Sequence, residues 1–407
     1  MSRPLAAIIG GAAGALALVG ITVAVIWYYL FHKRNNSRTS ESSSSEPSAQ
    51  DVGRSTSELS LIGGTLSSAS REARHFSLRE LELATKNFSD INLIGQGSFG
   101  LVYKGLLQDG MVVAIKKRHG APRQEFVEED ILFVTAWPWF LFCFSFHRHP
   151  CATMLMQVRF LSSIRHRNLV TLHGYCQEND QQMLIYEHVP NGSVSNHIYG
   201  QYSTTKLEFK NRLLIAIGAA KGLAHLHSLA PPLLHKDFKT ANVLVDENFI
   251  AKVADAGLRN LLERIINAGT SSQMMGTVVF LDPEFRESGR FSEKSDVYSF
   301  GVFLLELVSG CSAESDESMI KWAQNRPDLS DAASIIDEKL VSSFTSEGMK
   351  RFIGLAVWCI HSSGQRRPTM NTVVLELERI HEREISMTTI VGEGTPTVTL
   401  ASQLFTA

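Results

Sequence analysis

The residues His235-Lys236-Asp237-Phe238-Lys239-Thr240-Ala241-Asn242 set a carboxylate, an ammonium and a carboxamide at a spacing suited to phosphoryl transfer. That reaction needs a base for the proton of an attacking hydroxyl, a cation beside the moving phosphoryl group, and an oxygen ligand for magnesium. Asp237, Lys239 and Asn242 supply these in turn.

Upstream, Gly95-Gln96-Gly97-Ser98-Phe99-Gly100-Leu101-Val102 reads GxGxxGxV. A dinucleotide-binding unit begins the same way but continues into a helix. Here the strand-like Leu101-Val102-Tyr103-Lys104 follows, and then Val113-Ala114-Ile115-Lys116, which sets aside an NAD-dependent enzyme. The glycines let a hairpin tip close over phosphates, with Lys116 holding the α and β phosphates; Lys117 reads as a solvated strand residue.

These elements must be carried by a chain of 407 residues, 44% hydrophobic, enough for two lobes with a tail or anchor besides. A net charge of -2 gives no footprint for nucleic acid. The five cysteines, Cys143, Cys151, Cys176, Cys311 and Cys359, show neither CxxC nor zinc-ligand spacing and read as reduced thiols.

Residues 1–4 precede Leu5–Phe31, a stretch without charge, and roughly 20 such residues cross a bilayer core. His32, Lys33, Arg34 and Arg38 follow it while only Arg3 precedes it, so the positive-inside bias predicts a single-pass membrane protein with a cytoplasmic bulk, and the expected membrane is the plasma membrane. Trp27, Tyr28 and Tyr29 suit an interfacial belt. A cleaved signal peptide fits less well, because the apolar run exceeds a usual h-region and no cysteine-rich domain follows. Gly10 and Gly14 form a GxxxG for self-association or a co-receptor helix, against the plain reading that small residues are common in membrane spans. Residues 32–75, with the run Ser42-Ser43-Ser44-Ser45, read as a solvated tether, and residues 384–407 as a tail.

The remainder, 76–383, resembles a plant receptor-like serine/threonine protein kinase. Besides the motifs above, the resemblance rests on Phe76-Ser77-Leu78-Arg79-Glu80-Leu81, Ala84-Thr85-Lys86-Asn87-Phe88, His166-Arg167-Asn168-Leu169-Val170, Leu172-His173-Gly174-Tyr175-Cys176 and Pro190-Asn191-Gly192-Ser193. It implies ATP with Mg2+ or Mn2+ as the donor complex and protein serine or threonine as acceptor. It makes Tyr186 the gatekeeper and Glu187 to Val189 the adenine-binding hinge, with Ala114 against the nucleotide. It further implies that Asp255, in Asp255-Ala256-Gly257, ligates metal with Asn242. Asp296 is then the brace of the catalytic loop, Arg367 the partner of Glu284, and Glu129 the partner of Lys116. Thr277 with Lys239 resembles serine/threonine rather than tyrosine specificity, and Thr270, Ser271, Ser272 and Thr277 are candidate phosphorylation sites.

Four departures from the family stand out. Lys236 replaces an arginine that contacts phosphorylated activation loops, keeping the charge but not the planar fork. Ala256 replaces a packed phenylalanine, a loss of about 3–5 kcal/mol where nothing refills the space. Val279 stands where a glycine is common. Residues 130–157 interrupt one regulatory helix, separating Gln124-Glu125-Phe126-Val127-Glu128-Glu129 from Val158-Arg159-Phe160-Leu161-Ser162-Ser163-Ile164. Without them, Leu161 falls four positions after Glu129. The insert holds Trp137-Pro138-Trp139-Phe140-Leu141-Phe142 and lacks a regular period; it suits neither a second span nor a polar regulatory loop, and the leading reading is translated intron sequence.

The expected architecture is α+β: a small lobe of five strands and one regulatory helix, then a mostly helical lobe. Phe291, Val297, Phe300, Val302, Leu304, Leu305 and Leu307 are expected on the core face of a buried helix. The expected function is a membrane-anchored protein kinase; the alternative, favoured by Ala256 and the insert, is a pseudokinase or inactive isoform that acts as a binding module.

Overall fold

The structure, a computed structural model, describes residues 73–97, 99–120, 150–200, 207–261, 278–315, 317–325, 332–341 and 343–391. Leu5–Phe31, Ser98, Glu129, Thr270, Ser271, Ser272 and Thr277 lie outside these residues. No helix among the described residues is long and apolar enough to cross a membrane.

The small lobe is a six-stranded sheet rather than the expected five. The strands are β1 (Arg74–His75), β2 (Leu93–Gln96), β3 (Gly100–Leu106), β4 (Val112–Arg118), β5 (Leu172–Glu178) and β6 (Gln181–Glu187), in the order β1-β5-β6-β4-β3-β2. The added strand comes from residues assigned to the tether: Arg74 and His75 pair in parallel with Gly174 and Tyr175. Burial drives this. Phe76, Leu78 and Leu81 lie in one apolar cluster with Val113, Ile115, Met183 and Ile185, which drapes the lead-in over one sheet face. Its helix α1 (Leu78–Thr85) is capped by Ser77, whose Oγ accepts from Glu80 N, while Glu178 Oε2 accepts from Leu78 N at 2.9 Å.

Strand alternation puts the other set of side chains on the opposite face. There Leu184 clusters with Val158 and Leu161 of α2 (Pro150–Ser163). That helix takes in residues 150–157, assigned to the insert, together with the segment from Val158 expected to be helical. Pro150 opens it, at a position where a missing N–H leaves no helical hydrogen bond unmade.

The second lobe packs α3 (Val194–Ile198), α4 (Phe209–His227), α6 (Glu293–Ser309), α7 (Ser318–Asn325), α8 (Ser346–Cys359) and α9 (Met370–Val391) around one core, while α5 (Pro283–Ser288) has no buried residue. Helix α6 is buried on every side from Ser295 to Val308, as a helix apolar all round should be. Phe291 precedes it and is half-buried, with its ring edge-on to Phe285. A short hairpin, β7 (Val243–Val245) and β8 (Ala251–Val253), carries the catalytic loop on one side and Asp255 on the other. Helix α9 extends past residue 383 into the expected tail, because Glu384 is buried there and accepts hydrogen bonds from the Thr345 backbone and hydroxyl.

Leu81→Ala removes a wholly buried side chain, and a cost of about 2–5 kcal/mol is expected from urea unfolding. Leu83→Ala, on the solvent side of the same helix, is expected to fall within about 0.5 kcal/mol of the parent.

Candidate active site

Asp296, wholly buried near the start of α6, organises the catalytic loop. Its Oδ2 accepts from His235 N and faces His227 Nε2, and its Oδ1 accepts from Lys236 N, all at 2.9 Å. Two consecutive N–H groups can reach one carboxylate because Lys236 adopts φ 65°. The His235 ring is held as one tautomer: Nδ1 accepts from Asp237 N, so Nε2 carries the proton and donates to Ala254 O at 2.8 Å. Phe238 is anchored in the core against Phe300 and Phe303.

Above this anchor, Asn242 Nδ2 donates to Asp237 O at 2.7 Å and lies 3.3 Å from Asp237 Oδ2. With its NH2 turned to Asp237, the amide oxygen of Asn242 is the atom that can face a cation. Asn242 N bonds Lys239 O, closing the loop into a single turn. Arg259 Nη1 donates to Lys236 O at 3.2 Å and stands 4.0 Å from Asp237 Oδ1, placing a cation beside the loop carboxylate.

Asp255 lies at φ 61°, a left-handed conformation that short polar residues tolerate. Both its oxygens accept from Lys116 Nζ at 2.6 Å. Gly257 follows at φ 73°, and a Cβ there would come 2.6 Å from Leu161 Cδ2, so α2 rests directly on this turn. The Asp255 carboxylate and the Asn242 amide oxygen are hard oxygen donors, the type that suits Mg2+ or Mn2+, ions that complete their shells from water and phosphate.

The nucleotide-side residues line the facing strands. Gly95 and Gln96 end β2, and Gly97 N bonds Gly100 O across the hairpin tip. A Cβ on Gly100 would run into the Lys117 carbonyl. Val102 pairs in register with Lys116, and Ala114 with Tyr186. Phe99 is buried in the core layer of Val158, Leu161, Leu258 and Leu261. Burial raises the Tyr186 phenol pKa, and the Asp255 charge adds to the shift. Glu187 closes β6, its carboxylate accepting from Thr171 N at 2.7 Å and from Lys252 Nζ at 3.1 Å, and Val189 is buried just beyond. Ala256 lines a cavity of about 20 Å³ with Leu161, Ile164, Leu169, Val170, Leu172 and Tyr186, room for one water rather than a phenyl ring.

One expected pair is corrected. Arg367 binds Asp282 at 2.7 Å, not Glu284, whose exposed carboxylate instead accepts from Gly364 N at 2.9 Å. Asp282 caps α5 and is buried, so its charge needs the nearby buried cation, whereas the Glu284 side chain reaches solvent.

Other residues were not anticipated from the sequence. His227 and Arg259 sit among long stretches of similar composition and give no local signal. Glu306 does give one, as an acid inside an apolar helix. Its Oε1 accepts from Ala313 N at 2.7 Å and its Oε2 from the hydroxyl of Thr240, next to Lys239. Burial pushes the Glu306 carboxyl up to about 7; the hydrogen bonds from Thr240 and Ala313 oppose this, and the charge of Glu314 adds to it.

The family model for protein tyrosine and serine/threonine kinases matches residues 145–377. Among curated Arabidopsis thaliana proteins, a probable leucine-rich repeat receptor-like protein kinase is 36% identical over 90% of this chain and 35% of its own length. Two proline-rich receptor-like protein kinases, PERK2 and PERK3, are 37% and 38% identical over 74% of this chain and over 40% and 56% of theirs. The chain thus spans about a third to just over half of these relatives. The solved pseudokinase domain of BIR2, an immune regulator of the RLK/Pelle family, superposes with a TM-score of 0.57 at 28% identity, covering 75% of this chain and 86% of that one. The chain belongs to the protein tyrosine and serine/threonine kinase family, within its plant receptor-like branch.

Asp282→Asn is expected to lower stability by about 3–5 kcal/mol, because it strands Arg367, and Glu284→Gln by under about 1 kcal/mol; chemical unfolding of both distinguishes the pairings. Glu306 has a raised folded-state pKa, so its contribution is fully present below its unfolded pKa and lost as pH rises through about 7. Glu306→Gln is therefore expected to flatten the fall in stability between pH 5 and pH 8, read from urea midpoints across that range.

Proposed function

We propose that this protein kinase transfers the γ-phosphoryl group of ATP to serine or threonine hydroxyls of other proteins, at a membrane to which Leu5–Phe31 anchors it. The observation that carries the reading is the hydrogen-bonded pair of Asn242 and Asp237 on a loop fixed by Asp296. Asp237 orients the incoming hydroxyl and takes its proton, and Lys239 offsets charge on the phosphoryl oxygens. Lys116 holds the nucleotide phosphates, the hinge from Glu187 to Val189 holds adenine, and Asp255 with Asn242 holds the metal. Mg2+ or Mn2+, when bound, supplies charge neutralisation on those phosphates. Gly10 and Gly14 support pairing of the anchor with a second copy or a co-receptor.

A second reading, an inactive isoform that works by association, draws support from one observation: Lys116 and Asp255 engage each other rather than leaving both ligand positions open. Incubating the full chain with labelled ATP, Mg2+ and a basic model protein separates the two. Label is expected on serine and threonine, with Asp237→Asn lowering the rate at least about 100-fold. Equal labelling by the Asp237→Asn variant would remove Asp237 from the mechanism, label on tyrosine would overturn the specificity, and no transfer by the parent would favour association.

A further inference from the structure

The face of the sheet beneath α2 holds a charge arrangement that neither the motifs nor the family explain. Lys116 and Leu184 are directly opposed on β4 and β6, so their side chains leave the same face. Leu184 lies in the core layer with Val158 and Leu161, so that face is the one α2 covers. Gln157 precedes Val158 and stands one helical turn before Leu161, on the row of α2 turned toward the sheet. Its Oε1 is shut off from solvent and has no hydrogen-bond partner. Lys116, itself 9% exposed, gives its protons to both Asp255 oxygens.

Lys116 thus has one acceptor, the carboxylate at Asp255, while the helix over the same sheet face carries a second, neutral acceptor, the Gln157 amide oxygen, that meets no donor. Charge-assisted hydrogen bonds are the stronger, which favours the carboxylate as the partner of the ammonium. The close approach of Leu161 to Gly257 shows that helix and turn are in contact.

We propose that Gln157, and not Glu129, is the residue α2 presents toward Lys116, and that its lack of charge leaves Lys116 paired with Asp255 across the nucleotide site. Residues 130–157 then do more than lengthen the chain: the last of them occupies the position four before Leu161 that Glu129 would hold without them. In this state the phosphate-binding cation and the metal-binding carboxylate each occupy the other's ligand position. A carboxylate at position 157 would give Lys116 a partner on the helix and release Asp255.

This inference rests on the proposed roles of Lys116 and Asp255, but its first test uses no nucleotide. Thermal unfolding of the full chain is measured for Asp255→Asn in the parent and in a Gln157→Glu background; asparagine suits the left-handed backbone at position 255. Asp255→Asn is expected to lower the melting temperature by several degrees in the parent, where it strands Lys116. In the Gln157→Glu background it is expected to change the melting temperature little, because the helix then supplies Lys116 with a carboxylate. Adding Lys116→Met should erase the difference between the backgrounds. Equal losses in both backgrounds would overturn the pairing.

The second test is calorimetric binding of ATP with Mg2+. Gln157→Glu is expected to tighten binding about tenfold or more. Unchanged affinity in Gln157→Glu would overturn the inference. Thermal coupling and tighter binding without phosphoryl transfer would sustain it and overturn the catalytic reading instead.

Discussion

The buried carboxylate of Asp296 is the constraint on which the loop geometry depends. Three donors, two backbone N–H groups and the His227 ring, converge on a group with no access to water. Hydrogen bonds to a charged group are worth more than neutral ones, and leaving such donors unmet in the interior is costly. The cost of the left-handed backbone at Lys236 is accepted because that conformation aims both N–H groups at one acceptor. His235, Asp237 and Asn242 then follow in order, each held by a bond to its neighbour. The anchor itself sits on α6, which is wrapped by core on every side.

A contrast runs through the site. Below the catalytic loop, polar groups are paired with strong partners: Asp296 with its donors, Arg367 with Asp282, Glu306 with Thr240 and Ala313. Above it, Lys116 and Asp255 satisfy each other, and Gln157 Oε1 satisfies nothing. Rigid pairing suits a floor whose task is to hold Asp237 in one place. On the proposed function, the upper groups must change partners when nucleotide and metal enter.

The loop from His235 to Asn242, the glycine hairpin and the strand that carries Lys116 were legible in the chain because they are local patterns of residue type and spacing. What stayed hidden depends on burial or distance. Asp282 and Glu284 are both acids near Arg367, and only their unequal exposure decides which takes the cation. Arg74 and His75 form a strand too short to show alternation, visible only once Phe76 and Leu81 are seen to pull the lead-in onto the sheet. Helix α2 begins at Pro150 and α9 runs beyond residue 383 because of a helix-start residue and a distant bond from Thr345 to Glu384.

The two-residue strand β1 also covers part of a border. It occupies the outer side of β5, whose backbone groups would otherwise form an open row able to recruit a strand from another molecule. Arg74 and His75 thus cover part of an edge that could otherwise take an unwanted partner. A proteolytic cut just before Phe76 would leave the loop from His235 to Asn242 in place and still bare the edge of β5 at Gly174 and Tyr175.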